Sequence, residues 1–246
     1  MKTEFSYEKD LRIASGNVER VMGTRFGMIV TDIEERAARS LWDAACAYLE
    51  ESDTLLDRFN PESEVARFNA GLVKEPSARL RAWMDLGDSY AERTDGLFSV
   101  RYGGGLDFGG LAKGAALSFI ADLFRRRGVH DAFVDFGGSS IFGAGHHPYG
   151  PSWTVGVTDP YTGAQLTEIS LRDEAMSTSG NTPRYGGHIV DPRTGERVLS
   201  RRLVTVKAPD ATDAEVLSTA AMVADEKERK ELEKRFSSAE ILIFEV

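Results

Sequence analysis

Gly103–Gly114 reads GGGLDFGGLAKG, the densest glycine cluster in the chain, and it runs directly into a segment of helical period. The apolar face downstream carries Ala116, Phe119, Ile120 and Leu123, and Gly128 stands past its end, where a left-handed residue commonly closes a helix. Closely spaced glycines let backbone N–H groups approach an anion, and the amino end of the following helix adds partial positive charge. The same glycines serve equally as a tight structural turn, and spacing leaves both readings open. The segment is not a Walker A loop, because Lys113 follows Ala112 and no Gly-Lys-Ser/Thr occurs. Nor is it GxGxxG, because Gly109 and Gly110 are adjacent; Gly143-x-Gly145 lacks the third glycine. Lys113 falls just inside the predicted helix, where the dipole disfavours a cation unless something anionic compensates. That misplacement favours a bound phosphate or carboxylate.

Upstream, Thr24–Val30 alternates Phe26, Met28 and Val30 against Arg25, Gly27 and Ile29, the pattern of a half-buried strand. Thr31 with Glu34 predicts a capping box opening a helix with the stripe Ile33, Ala37, Leu41, Ala44, Ala45 and Tyr48. Arg58–Asn69 (RFNPESEVARFN) is turn-rich, with Ser63 placed to cap a short helix. Ser77 to about Thr94 predicts a long helix ending near Gly96. Downstream, Ala132–Phe136 reads as a strand, and Trp153–Thr158 and Gln165–Leu171 as strands around the turn Asp159–Gly163 (DPYTG). The related turn Asp191–Gly195 (DPRTG) follows a short predicted strand through His188, Ile189 and Val190. Leu203–Ala208 and Ile241–Val246 read as strands, Glu215–Asp225 as a helix, and Glu226–Phe236 as a charged, solvated helical run. Irregular alternation with hairpins, and no low-complexity linker, predicts an α+β fold in which residues 1–246 form one unit of two closely packed lobes.

Charge and composition narrow the function. With 30 Lys plus Arg against 39 Asp plus Glu, the net charge is −9, which argues against sequence-independent nucleic-acid binding. The single Cys46 excludes an intramolecular disulfide and any Cys–His zinc cluster, and it reads as a small packed thiol. No apolar run is long enough to span a bilayer, and Met1–Arg12 has neither a basic leader nor a lipobox, so the expected location is cytoplasmic.

Ser177–Gly180 (STSG) clusters hydroxyls ahead of His188 and Asp191, yet neither serine supplies the GxSxG elbow of a hydrolase. A hydroxyl-rich loop that hydrogen-bonds a ligand is the better reading. His130, His146 and His147 lie in polar loops. His188 is either a packed core residue or an acid/base group aimed into a cleft. Glu215 and Thr219, four residues apart, share a helix face, and a carboxylate plus a hydroxyl suits a hard cation such as Mg²⁺. The alternative is a helix-start acid and a core threonine, with Asp213 as an N-terminal cap that could also reach a metal.

Taken in order, these segments resemble the ApbE family, the FAD:protein FMN transferases. The matching pieces are Met22-Gly23-Thr24, Arg58–Asn69, Thr94-Asp95-Gly96-Leu97-Phe98 and Asp107–Gly114 (DFGGLAKG). Val134–Gly138 (VDFGG), Ser177–Gly180, His188–Gly195 (HIVDPRTG) and Glu215–Ala220 (EVLSTA) follow, so the likeness runs from Met22 to about Ala224. The resemblance implies a mixed α+β fold that binds FAD and a divalent metal. It implies transfer of the FMN half of FAD to a Thr or Ser hydroxyl of an acceptor flavoprotein, releasing AMP. Position by position, it implies that Met22 and Gly96, Leu97 and Phe98 line the FAD pocket and that Asp107 and Lys113 contact FAD. Ser179 would join them, with Ile189 packing on FAD. The Gly110 carbonyl, Glu215 and Thr219 would hold Mg²⁺, and His188 would stand beside the reacting phosphate.

The chain departs from that pattern in places. Glu215 stands where the family usually has Asp, Asp135 where it often has Asn, and Ser118 where it often has Asp. Only Ser99–Leu106 joins the Thr-Asp-Gly segment to the glycine loop, shorter than is usual, and the region after Ser177–Gly180 is shortened too. Two rival functions follow: an FAD pyrophosphatase giving FMN and AMP, and a flavin-binding module without catalysis.

Overall fold

In β3 (Thr24–Val30) the side chains of Phe26, Met28 and Val30 are buried and those between them are not, as the alternation predicts. The computed structural model describes residues 1–183 and 185–246. β3 is third in an eight-stranded, wholly antiparallel sheet. Its outer neighbours are β2 (Ile13–Val21) and β1 (Thr3–Glu8). On the other side come β6 (Ala132–Phe136), β7 (Ser140–Ala144), β10 (Glu174–Gly180), β11 (Arg202–Ala208) and β12 (Glu240–Glu245). A two-residue turn of Gly103 and Gly104, both at positive φ, joins the short strands β4 (Arg101–Tyr102) and β5 (Gly105–Leu106). The hairpin of β8 (Trp153–Thr158) and β9 (Gln165–Leu171) forms a separate ladder.

The main core lies between one face of the large sheet and the helices. These are α1 (Glu35–Leu56), α2 (Glu64–Asn69), α3 (Ala78–Arg93), α4 (Ala112–Arg127), α5 (Ala211–Val223) and α6 (Glu226–Arg235). Phe26, Phe124, Phe136, Leu117, Ile120 and Leu217 are fully buried there. A second, smaller cluster of Ile141, Trp153, Ile169, Leu171 and Met176 fills the space between the β8–β9 hairpin and the opposite face. The sheet therefore has two covered faces, which explains β7: all five of its residues are buried, so it lacks the period-two signal that marks a strand in the sequence. The hairpin of β1 and β2 is also absent from the sequence reading, because its outer strand is exposed and charge-rich.

Several local expectations shift. Ser63 caps α2 through Ala66 N at 3.0 Å, as predicted, and Ser77, where the predicted helix starts, caps α3 through Leu80 N. The capping box at Thr31 and Glu34 does not form: Thr31 directs its amide and hydroxyl to the Asp131 carbonyl, and α1 starts after Glu34 without a side-chain cap. The buried stripe of α1 is consequently rotated by about one residue, to Ala38, Leu41, Trp42, Ala45, Leu49, Ser52 and Leu56, and Ala37 is exposed. Cys46 sits half-buried beside that stripe, and burial pushes its thiol up to about 11, so it is a poor nucleophile. The hydroxyl-rich segment at residues 177–180 is no loop but the end of β10. Helix α5 begins at Ala211 rather than Glu215. Asp210 caps it through the amides of Thr212 and Asp213 at 2.8 and 3.0 Å. Asp213 therefore does not cap the helix. It accepts instead from Tyr90 Oη at 2.6 Å and Arg93 Nη2 at 3.0 Å, which fixes α5 to α3.

What positions the site is the close approach of α4 to α5. A Cβ on Gly114 would meet Glu215 Cβ at 2.4 Å and the Ala211 carbonyl oxygen at 2.7 Å, so only glycine permits this contact. Ser118 reinforces it, with its hydroxyl 2.9 Å from Thr212 Oγ1 and 3.1 Å from the Thr212 amide. Gly114→Ala is expected to cost about 1–3 kcal/mol through overpacking, read as a lowered urea midpoint with an unchanged m-value.

Candidate functional site

The glycine cluster divides in two. Gly103 and Gly104 make the β4–β5 turn, and the Asn69 side chain pairs with the Leu106 amide and carbonyl at 2.7 and 2.9 Å. Residues 107–110 then enter α4. Asp107 accepts from the Gly109 amide at 2.9 Å and Tyr102 Oη at 3.0 Å, and Arg58 Nη1 lies 3.2 Å from it. Its carboxylate shapes the loop and holds Arg58 over it. Leu111 occupies the cap position of α4 and supplies no side-chain acceptor, so no side chain satisfies the first-turn amides.

Lys113, one residue into α4, pairs with Glu215 Oε1 of α5. The lysine's misplacement predicts a bound anion, and in the structure a carboxylate of the chain itself compensates it. The second carboxylate oxygen accepts from Ser140 of β7 and from Ser177 of β10, the latter at 2.9 Å. Polar contacts continue from there: Ser218 Oγ is 3.2 Å from Ser177 Oγ and 2.8 Å from Ser179 Oγ, and Ser179 Oγ is 3.2 Å from Thr219 Oγ1. Ser177 and Ser179 face α5 because they alternate with Thr178, which turns to the opposite face and meets Thr205 at 2.9 Å.

Met22, Asp107 and Lys113 line one cleft of about 550 Å³ together with Arg20, Thr24 and Arg58. Met22 and Gly23, both at positive φ, form the turn between β2 and β3, and the Met22 amide donates to Asp53 at 2.8 Å. Gly96, Leu97, Phe98, Gly110, Ser179, His188, Ile189, Glu215 and Thr219 do not line this cleft. Thr94 ends α3, donating to the Tyr90 carbonyl at 2.7 Å and accepting from the Phe98 amide. Leu97 and Phe98 are buried behind the glycine loop, and Gly96 abuts Arg193. Phe98 backs Gly110, where an added Cβ would meet its ring at 3.1 Å and Thr219 Oγ1 at 3.4 Å. Gly110 and Thr219 are thus neighbours across the α4–α5 seam. With Glu215 they offer a carbonyl, a hydroxyl and a carboxylate, a hard-oxygen set that suits Mg²⁺. Among the described residues no three His, Cys, Asp or Glu side chains converge as a metal cluster, so such a site would draw on backbone and hydroxyl oxygen.

His188 is on neither a strand nor a core face. Among the described residues that segment forms an isolated bridge between Val190 and Arg197 and no longer ladder, and His188 is exposed while Ile189 is buried. His188 Nδ1 lies 3.0 Å from the Tyr185 carbonyl, which can only accept, so in the neutral tautomer that fits this contact Nδ1 is the donor and Nε2 the acceptor. Asn181, which sequence reasoning passed over, anchors this loop by donating to the Val198 and Ser200 carbonyls at 2.9 Å and accepting from the Gly187 amide at 2.8 Å. Its position directly after the hydroxyl cluster was the available signal. The DPRTG turn repeats the chemistry of DPYTG, since Gly195 N donates to the Asp191 carbonyl as Gly163 N does to Asp159, each at 2.8 Å.

With this geometry in view, the comparisons with known proteins become specific. The sequence model of the ApbE family matches residues 102–243, which contain the glycine loop, Lys113, His188, Glu215 and Thr219. The chain belongs to the ApbE family. A curated relative, the FAD:protein FMN transferase of Rhodobacter capsulatus, is 36% identical over 131 residues, 50% of this chain and 25% of the relative. That of Treponema pallidum is 32% identical over 156 residues, 56% of this chain and 42% of the relative. The matches therefore span less than half the length of these relatives. The flavin transferase ApbE of Vibrio cholerae has the same fold, with a TM-score of 0.74 at 20% identity over 98% of this chain and 92% of that one. The ApbE protein of Thermotoga maritima gives 0.76 at 21% identity, over 98% of this chain and 94% of that one. The α+β expectation holds: both are likenesses of the whole sheet and its helices.

Asp191 locks the family's DPRTG turn. It accepts from the Arg193 amide at 2.9 Å and from the Arg193 guanidinium at 2.8 and 3.0 Å, and Arg193 also bonds Glu228 of α6. The Arg193 hydrogen bond holds the Asp191 carboxyl below the usual carboxylate range. Its contribution is complete at neutral pH and is lost as pH falls through that lowered value. Asp191→Asn should make trypsin cleave after Arg193 several-fold faster at neutral pH, read by mass spectrometry, with cleavage after Arg81 in α3 as the unaffected control.

Proposed function

We propose that this chain transfers the FMN half of FAD to a Thr or Ser hydroxyl of an acceptor flavoprotein, releasing AMP. The observation that carries this reading is the meeting of Lys113, at the amino end of α4, with Glu215 of α5 beside a cleft of about 550 Å³. A dinucleotide's diphosphate suits that place, because uncapped amides, a helix amino end, Lys113 and Arg58 all favour negative charge there. The names of the curated relatives support the same activity.

In the transfer, the acceptor hydroxyl oxygen attacks the phosphorus of the FMN half and forms a phosphoester. The bond from that phosphorus to the bridging oxygen breaks, and AMP leaves with the bridging oxygen and its electron pair. The hydroxyl proton passes to His188 Nε2, the nitrogen left free by the Tyr185 contact. Lys113 and Arg58 orient the diphosphate and offset its charge, and Asp107 holds Arg58 in place. Mg²⁺ would be held by the Gly110 carbonyl, Thr219 and Glu215, and would supply further charge neutralisation on the phosphate oxygens.

The test is incubation with FAD, Mg²⁺ and a Thr-containing acceptor, following AMP by chromatography and the acceptor by mass. A mass gain of one FMN with stoichiometric AMP is expected. AMP with free FMN and an unmodified acceptor would mean hydrolysis, and FAD binding without AMP would mean a flavin-binding module. His188→Ala should lower AMP release by roughly 10²–10⁴-fold while leaving FAD affinity within a few-fold; unchanged turnover removes His188 from the proposed role.

A further inference from the structure

Glu215 is more completely engaged than a metal ligand has to be. Its side chain is 4% exposed, and three donors from three different elements converge on its two oxygens. Ser140 and Ser177, which hold Oε2, are 1% and 2% exposed. They are direct cross-strand partners in the β7–β10 ladder, so two adjacent strands of the sheet present a fixed pair of hydroxyls to a helix residue. A serine hydroxyl donates one hydrogen, and a buried carboxylate is the strongest acceptor within its reach. Oε2 is therefore committed to the sheet, and Oε1 is held by Lys113, which itself lines the cleft.

We infer that Ser140 and Ser177 are positioning residues that aim a single oxygen of Glu215 at Lys113 on the cleft wall, and that Lys113 and a divalent cation occupy that oxygen in exchange. The inference rests on the proposed FAD- and Mg²⁺-binding reading of the cleft. Two cations cannot share one carboxylate oxygen in a buried setting without strong mutual repulsion, so entry of the metal expels the ammonium. Lys113 lines the cleft and is 19% exposed, so its long side chain can turn toward a diphosphate without any movement of α4. Before the metal arrives, the pair keeps a buried carboxylate neutralised. Afterwards the released lysine adds a positive charge where the dinucleotide binds. Metal and dinucleotide then strengthen each other's binding by the same factor.

Calorimetric titration with Mg²⁺ alone tests the exchange. Lys113→Gln keeps a hydrogen-bond donor for Oε1 but removes the competing charge, and it should bind Mg²⁺ about tenfold more tightly than the natural chain, within the range of ordinary coupling. Adding Glu215→Gln should abolish that gain. Adding Ser140→Ala and Ser177→Ala should reduce it, measured well below that variant's own lowered melting temperature. A second measurement needs no variant: acetic anhydride labelling of the natural chain, read by peptide mass. Saturating Mg²⁺ should speed acylation of Lys113 and leave the exposed Lys230 and Lys234 unchanged. Equal Mg²⁺ affinity in the natural chain and Lys113→Gln, or Lys113 labelling indifferent to Mg²⁺, overturns the exchange while leaving the metal site standing. Absence of Mg²⁺ binding in every variant, with FAD present as well as without it, overturns both.

Discussion

An ion pair between the buried Glu215 and the partly exposed Lys113, 102 positions apart, organises this molecule. Removing one partner of such a pair leaves a buried charge uncompensated and typically costs about 3–5 kcal/mol. The surrounding structure meets that constraint from several sides. Gly114 lets α4 approach α5, Ser140 and Ser177 complete the carboxylate's hydrogen bonds from the sheet, and Asp210 caps the helix that carries Glu215. The site is thus an extension of the core, where two helices and two strands meet at the rim of a cleft.

The extra methylene at Glu215 acquires a physical meaning in this setting. A glutamate reaches across the seam to the β7 and β10 serines and still presents an oxygen to Lys113. The short connection through the β4–β5 hairpin has a counterpart too. Gly103 and Gly104 turn the chain in two residues, and Asn69 joins it to α2, so the glycine loop is delivered to α4 without a longer insertion.

Much of this was legible in the sequence, and the exceptions share causes. The helices α2, α3, α4 and α6 and the strands β3, β6, β8, β9 and β11 carry local signals: serine caps, a terminal glycine, or alternation between a buried and an exposed face. Lys113 was legible as a charge out of place, but its partner was not, since nothing in local sequence ties residue 113 to residue 215. The β7 strand and residues 177–180 lacked the period-two pattern of hydrophobicity, one because every residue is buried and the other because its alternation is between hydroxyls. Thr31 offered a convincing cap that a tertiary bond to Asp131 overrode. His188 was read onto a strand because Ile189 and Val190 favour one, yet the turns on either side leave it in a loop with its ring in solvent.

A crystal structure of the protein grown with FAD and Mg²⁺ measures directly where the dinucleotide sits. The diphosphate should lie in the cleft between Met22 and Lys113, within hydrogen-bond reach of the first-turn amides of α4 and of the lysine's ammonium. Well-ordered FAD at the β8–β9 face, or in any position that leaves Lys113 without a phosphate contact, would contradict it.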